Sequence, residues 1–141
     1  MGIQDTINHS IADLKKASGK IVITTHFKPD GDAIGSSLGL YNYLKNCGID
    51  SVVIAPSDYA DFLDWIPGND KVIVYEDSKE LSNKLIAESQ YVFCLDFNTL
   101  SRVGGLQDGI SNSTAEVILI DHHQDPDLEC CGQFLTQISL R

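Results

Sequence analysis

The chain has 141 residues, with 10 Lys and Arg against 20 Asp and Glu and a formal net charge of −10. That length allows one domain, 1–141, and excludes a second of ordinary size, while a 43% hydrophobic content supports a packed core rather than a disordered acidic tail. The charge excludes a coat for long duplex nucleic acid, which needs cations to neutralise many phosphates.

In chain order, Ile3, Ile7, Ile11 and Leu14 fall on one stripe of an amphipathic helix that Gly19 ends. Lys20 to Thr25 is a continuous β-branched run and reads as a buried strand. His26 to Asp32 contains Pro29 and Gly31 and is a loop. Ala33 to Asn46 is helical, with Gly48 placed for its C-terminal cap. Ser51 to Ala55 is a strand, Asp58 to Trp65 a short helix ended by Pro67-Gly68, and Lys71 to Tyr75 another strand. Asp77 with Glu80 makes a capping-box pattern for a helix running to about Glu88. Tyr91 to Leu95 is a strand stopping at Asp96, and Val117 to Ile120 is a strand stopping at Asp121. Strands alternating with helices predict an α/β fold, a mostly parallel sheet with helices on both faces in three layers.

No run reaches the roughly 20 apolar residues that span a bilayer, and the N-terminus lacks a basic, then apolar, leader, so the expectation is a protein with no membrane association. Cys47, Cys94, Cys130 and Cys131 form no CxxC pair, which predicts reduced thiols and a cytoplasmic location. A myristoylation-like start and two glycosylation sequons are short patterns that arise by chance.

The chemistry lies at strand ends, where open α/β sheets bind ligands. One strand leads into His26, Asp30 and Asp32, another into Asp96, and a third into Asp121, His122 and His123. Taken singly these have ordinary readings: a loop His that hydrogen-bonds locally, a Pro-Asp-Gly-Asp turn, an Asp that caps whatever follows. Together at three strand ends they point to a shared site. Crowded carboxylates raise one another's pKa unless a cation compensates them. Carboxylate mixed with imidazole suits Mn²⁺, Fe²⁺ or Zn²⁺. Two such ions about 3.5–4 Å apart support in-line displacement at phosphorus.

Thr25-His26-Phe27-Lys28-Pro29-Asp30-Gly31-Asp32-Ala33-Ile34-Gly35-Ser36, followed by Asp96 and by Asp121-His122-His123, resembles the DHH phosphoesterase superfamily over roughly Ile3 to Asp127. The segment Asp96 to Gly104, with Arg102 after the central Asp, is similar to the nanoRNase and pAp phosphatase branch. Inorganic pyrophosphatases and RecJ-type exonucleases share the core motifs. The resemblance implies two Mn²⁺ ions, with Mg²⁺ as the alternative. It implies that His26 and Asp30 bind the first ion, that Asp32 and His122 bind the second, and that Asp96 bridges them. It further implies that His123 faces the scissile phosphate, that Asp121 orients an imidazole, and that a metal-activated hydroxide attacks. Arg102 is the candidate phosphate contact. The implied substrates are short oligonucleotides or pAp-like nucleotides.

The pattern also departs from the family. Only 18 residues follow His123, and Asp125 and Asp127 lie too close to the triplet to supply the family's fourth motif. The expectation is a C-terminally incomplete DHH domain without the smaller substrate-gripping domain. A non-catalytic, metal-binding domain and a pyrophosphatase-like activity are the alternatives, and a face left bare by the missing residues predicts a homo-oligomer.

Overall fold

The computed structural model describes residues 12, 14–16, 20–97, 99–121 and 135–139. Six strands form one all-parallel sheet in the order β3-β2-β1-β4-β5-β6. They are β1 (Lys20–Thr24), β2 (Ser51–Ala55), β3 (Ile73–Val74), β4 (Ser89–Leu95), β5 (Glu116–Asp121) and β6 (Leu135–Ser139). The α-helices are α1 (Gly31–Asn46), α2 (Lys79–Ala87) and α3 (Gln107–Asn112). The chain enters the sheet at its middle, winds outward through β2 and β3, and returns to start the second half beside β1. This reversal between β1 and β4 opens a crevice at their carboxyl ends.

The period of two along each strand divides the core into two layers. Ile21 and Ile23 of β1 pack with Val53, Phe93 and Leu95 beneath Ile34, Leu38 and Leu44 of α1. Val22 points the other way and joins Ile54, Val92, Cys94, Val117 and Leu119 beneath Ile86 of α2 and Ile110 of α3. Helices therefore cover both faces, as the alternating pattern predicts, and Cys94 is fully buried between them.

Several boundaries differ from the sequence reading. The helix of Ile3 to Leu14 lies mostly outside the described residues, where Ala12, Leu14 and Lys15 are helical and Leu14 is buried. α1 begins at Gly31, two residues before Ala33, because the Asp30 side chain caps it by accepting from the Ala33 N–H at 2.9 Å. The strand read over Lys71 to Tyr75 shrinks to Ile73–Val74. It is the sheet's outer strand on this side and pairs only with Ile54 and Ala55, and 3₁₀ turns at Asn69–Lys71 and Tyr75–Asp77 take up the rest.

The helix read over Asp58 to Trp65 is a 3₁₀ turn at Asp61–Leu63. Asp77 sits in the turn before α2, whose N-cap is Ser78 with no side-chain cap bond. Three elements went unread. The Leu100–Leu106 3₁₀ segment and α3 hide behind Gly104-Gly105, which interrupt any helical period, and β6 pairs in parallel with β5 from Val117↔Leu135 to Asp121↔Ser139. Among the described residues no helix is long and apolar enough to cross a membrane.

Two positions on the β2–β3 connection carry measurable consequences. Gly68 has φ +91, and a Cβ there would stand 2.9 Å from Tyr41 Cε1. Gly68→Ala is expected to cost about 1–3 kcal/mol in urea unfolding through strain and overpacking. Burial, with Asp64 and Asp58 nearby, pushes the Tyr59 phenol above its ordinary 10.0. The folded form thus holds this proton longer than the unfolded chain. The stability it contributes is complete below about pH 10 and is lost as pH rises through the folded value. Urea midpoints across the alkaline range are expected to fall more steeply in the wild type than in Tyr59→Phe.

Candidate metal centre

The end of β1 is tied to both neighbours before any functional group appears. The buried Thr24 hydroxyl donates to the Ile54 carbonyl at 2.8 Å, and the buried Thr25 hydroxyl donates to the Leu95 carbonyl at 2.8 Å. With the carboxyl ends of β1, β2 and β4 so joined, the following loop starts from a fixed frame. Its backbone is held twice more, by the Phe27 N–H donating to the Arg102 carbonyl at 2.6 Å and the Lys28 N–H donating to Ser57 Oγ at 2.7 Å. Lys28 turns with φ 53, a left-handed conformation uncommon for a side chain of its kind.

His26 is buried at this turn with 8% exposure. Its Nδ1 stands 2.9 Å from the Phe27 carbonyl oxygen, an atom that only accepts, so Nδ1 carries a proton and Nε2 is the nitrogen left to meet a metal. That Nε2 is 3.9 Å from Asp30 Oδ1 and 3.6 Å from Asp96 Oδ2. One donor atom from each of His26, Asp30 and Asp96 lies within 4.8 Å of the others. Such separations are too long for hydrogen bonds. They are close to the roughly 3–3.6 Å between ligands that surround a divalent cation at about 2.1 Å. Two carboxylates with one imidazole are a donor set for such an ion, so the three residues fit a divalent cation.

Each carboxylate is placed by its element. Asp30 is the N-cap of α1, spending one lone pair on Ala33 N–H while its side chain remains 66% exposed. Asp96 follows β4 with φ 65, and its N–H donates to the Ile120 carbonyl at 3.1 Å, linking the end of β4 to β5. Its side chain is only 10% exposed. Asp and Asn tolerate the left-handed region better than other side chains, so the position suits the residue that sits there.

The other sequence-derived candidates divide three ways. Asp32 is exposed in the first turn of α1 and stands outside the His26, Asp30, Asp96 group. Arg102 is exposed, and it meets the His26 loop through its backbone carbonyl. Asp121 is the last residue of β5, opposite Ser139, and His122 and His123 lie outside the described residues.

Sequence reasoning missed the supports: Thr25, Ser57 and Gly104. Gly104 adopts φ 56, ψ −130, and a Cβ there would stand 3.1 Å from Phe27 Cδ2. It lets the Leu100–Leu106 segment press against the loop that carries His26. Its signal was the glycine pair itself. A cleft of about 460 Å³ between α2 and α3, lined by Asn83, Asp108 and Asn112 among others, shares no residue with the three-ligand group.

Comparison with known proteins agrees with the geometry. The family described as "DHH family, N-terminal domain" matches residues 20–137. The bifunctional oligoribonuclease and PAP phosphatase NrnA of Thermus thermophilus is 42% identical over 111 residues, 78% of this chain and 30% of that protein. A crystal structure of an exopolyphosphatase-related protein from Bacteroides fragilis superposes with a TM-score of 0.84 at 40% identity, covering 95% of this chain and 38% of that one. An α-glucosyltransferase bound to UDP, at 12% identity and a TM-score of 0.57 over 77% of this chain, shares the fold alone. The chain thus spans well under half the length of the relatives it matches. With the family pattern running from β1 to β6 and the His26, Asp30, Asp96 group at its sheet edge, the chain belongs to the DHH family and carries its N-terminal domain.

Proposed function

We propose that this domain hydrolyses phosphoesters in short oligonucleotides or pAp-like nucleotides with two divalent cations, Mn²⁺ first and Mg²⁺ as the alternative. The observation that supports this most is the meeting of His26, Asp30 and Asp96 at the reversal between β1 and β4. In this reading His26 Nε2, Asp30 and Asp96 would hold one ion, and Asp96 with Asp32 and His122 would hold the second. When bound, the cations neutralise phosphate charge and activate a water for attack. His123 would face the scissile phosphate and stabilise its charge or protonate the leaving oxygen, Asp121 would orient a neighbouring imidazole, and Arg102 would contact a phosphate oxygen. A net charge of −10 fits a small anionic substrate gripped by metal rather than a long polyanion held by surface cations. Cytoplasmic residence agrees with the reading of Cys47 and Cys94 as reduced thiols. The exopolyphosphatase-related structural relative favours one second reading, cleavage of a phosphoanhydride by the same groups.

The test is incubation of the purified chain with Mn²⁺ and, in parallel, a 5′-labelled dinucleotide, pAp and pyrophosphate. Turnover of the first two, abolished by EDTA and restored by Mn²⁺, is the expected result. Turnover of pyrophosphate alone selects the second reading, and binding of Mn²⁺ with no turnover of any substrate leaves a metal-binding domain. Asp96→Asn keeps the side-chain shape and tolerates φ 65. It should leave the thermal midpoint nearly unchanged, weaken Mn²⁺ binding at least about tenfold and cut turnover by about a hundredfold or more. Thr25→Val strips the Leu95 carbonyl of its buried donor. It should cost about 1–3 kcal/mol in urea unfolding and weaken Mn²⁺ binding, whereas Thr25→Ser should restore both.

A further inference from the structure

The peptide unit that joins Phe27 to Lys28 is held at both edges. Its carbonyl accepts from the His26 ring, whose Nδ1 stands 2.9 Å away, and its N–H donates to Ser57 Oγ at 2.7 Å. In a trans peptide these two groups point in opposite directions, so Ser57 and the imidazole grip one plane from opposite sides. Ser57 lies two residues beyond β2 and is buried. Its own proton goes to the Asp58 carbonyl at 3.2 Å, which leaves its lone pairs for the Lys28 N–H.

That plane sits in its less favourable orientation. Lys28 has φ 53, which residues other than glycine adopt uncommonly. It also precedes Pro29, and the residue before a proline prefers φ near about −120°. Turning the Phe27–Lys28 peptide over by about 180° would bring the Lys28 φ to about −127°, inside the preferred range. The neighbouring units need not follow, since the Phe27 N–H is pinned to the Arg102 carbonyl at 2.6 Å and Pro29 is buried. The local sequence therefore favours the turned-over peptide, and two hydrogen bonds oppose it. Of the two, the bond from Ser57 comes from outside the turn.

The orientation decides what His26 presents. With the Phe27 carbonyl toward the ring, Nδ1 carries a proton, and Nε2 faces Asp30 Oδ1 at 3.9 Å and Asp96 Oδ2 at 3.6 Å. With the peptide turned over, the Lys28 N–H would face Nδ1 instead. Nδ1 would then accept, and the proton would move to Nε2, the nitrogen a cation needs bare. We propose that Ser57 is a positioning residue of the metal centre: its hydroxyl locks the Phe27–Lys28 peptide in the orientation that keeps His26 Nε2 available as a ligand. This rests on the metal-dependent reading of the site, and it adds a residue from the end of β2 to a group drawn from the loops after β1 and β4.

Nitrogen NMR of the metal-free full chain, at about pH 8.5 where imidazole is ordinarily neutral, reads the His26 tautomer, with the ring assigned through the backbone. The wild type is expected to hold the proton on Nδ1, Ser57→Ala to move it largely to Nε2, and Ser57→Thr, which keeps a hydroxyl, to restore it. Mn²⁺ affinity, read from the paramagnetic signal of the free ion, is expected to fall about tenfold or more in Ser57→Ala and to recover in Ser57→Thr. Lys28→Gly removes the side-chain penalty at an exposed position, so Ser57→Ala should cost a smaller factor in that background. Should Ser57→Ala not fold, Ser57→Cys, a weaker acceptor at the same place, is read instead. A proton retained on Nδ1 without the Ser57 hydroxyl, or a wild type already protonated at Nε2 alone, overturns the proposal. So does a loss of Mn²⁺ affinity that Lys28→Gly leaves at full size, since Ser57 then acts elsewhere than on this turn. A wild type that binds no Mn²⁺, yet loses the Nδ1 proton in Ser57→Ala, overturns the metal reading and keeps the peptide lock.

Discussion

The functional groups of this chain depend on how the carboxyl ends of β1 and β4 are joined. A parallel sheet that starts in its middle must reverse its winding, and the two strands on either side of the reversal send their following loops in opposite directions. The gap between those loops is where a ligand can sit, but it is useful only if the strand ends do not drift. Here the Thr25 hydroxyl donates across it to the Leu95 carbonyl, and the Asp96 N–H extends the same link to Ile120 of β5. His26 follows Thr25 and Asp96 follows Leu95, so the bond that joins the strands also sets the distance between imidazole and carboxylate.

Rigidity around that gap is obtained with unusual backbone. Lys28 and Asp96 take positive φ, and Gly104 takes a conformation available only to glycine. Positions of this kind cost on the order of 1–3 kcal/mol when the side chain is ill suited. They persist because the surroundings hold them: Ser57 on Lys28, Ile120 on Asp96, and Phe27 packed on Gly104. The cost is smallest at Asp96, where the residue that chemistry wants is also one the left-handed region accepts. Asp30 combines roles in the same way. Its Oδ1 both accepts the Ala33 N–H that starts α1 and lies nearest His26 Nε2.

The amino-acid order by itself determined the alternation of strands and helices, the three-layer class and the choice of candidate residues at strand ends. These rest on local rules: β-branched runs, a period of two or 3.6, and turns built from Pro, Gly and Asp. Ser51 to Ala55 came out residue for residue, and His26, Asp30 and Asp96 could be singled out from their positions after strands. The sequence could not show which strands are neighbours, since strand order is a matter of pairing between segments distant along the chain. Nor could it show that Thr25 and Gly104 support the site, because their partners, Leu95 and Phe27, are close only in space. The outer elements were misread for the same reason. Lys71 to Tyr75 has the composition of a strand, but at the sheet's edge two residues found a partner and the others turned away. Only the folded chain decided that Asp30 and Asp96, 66 positions apart, converge on one imidazole. Two carboxylates come together there because the sheet and its hydrogen bonds hold the backbone, a crowding that a cation would compensate.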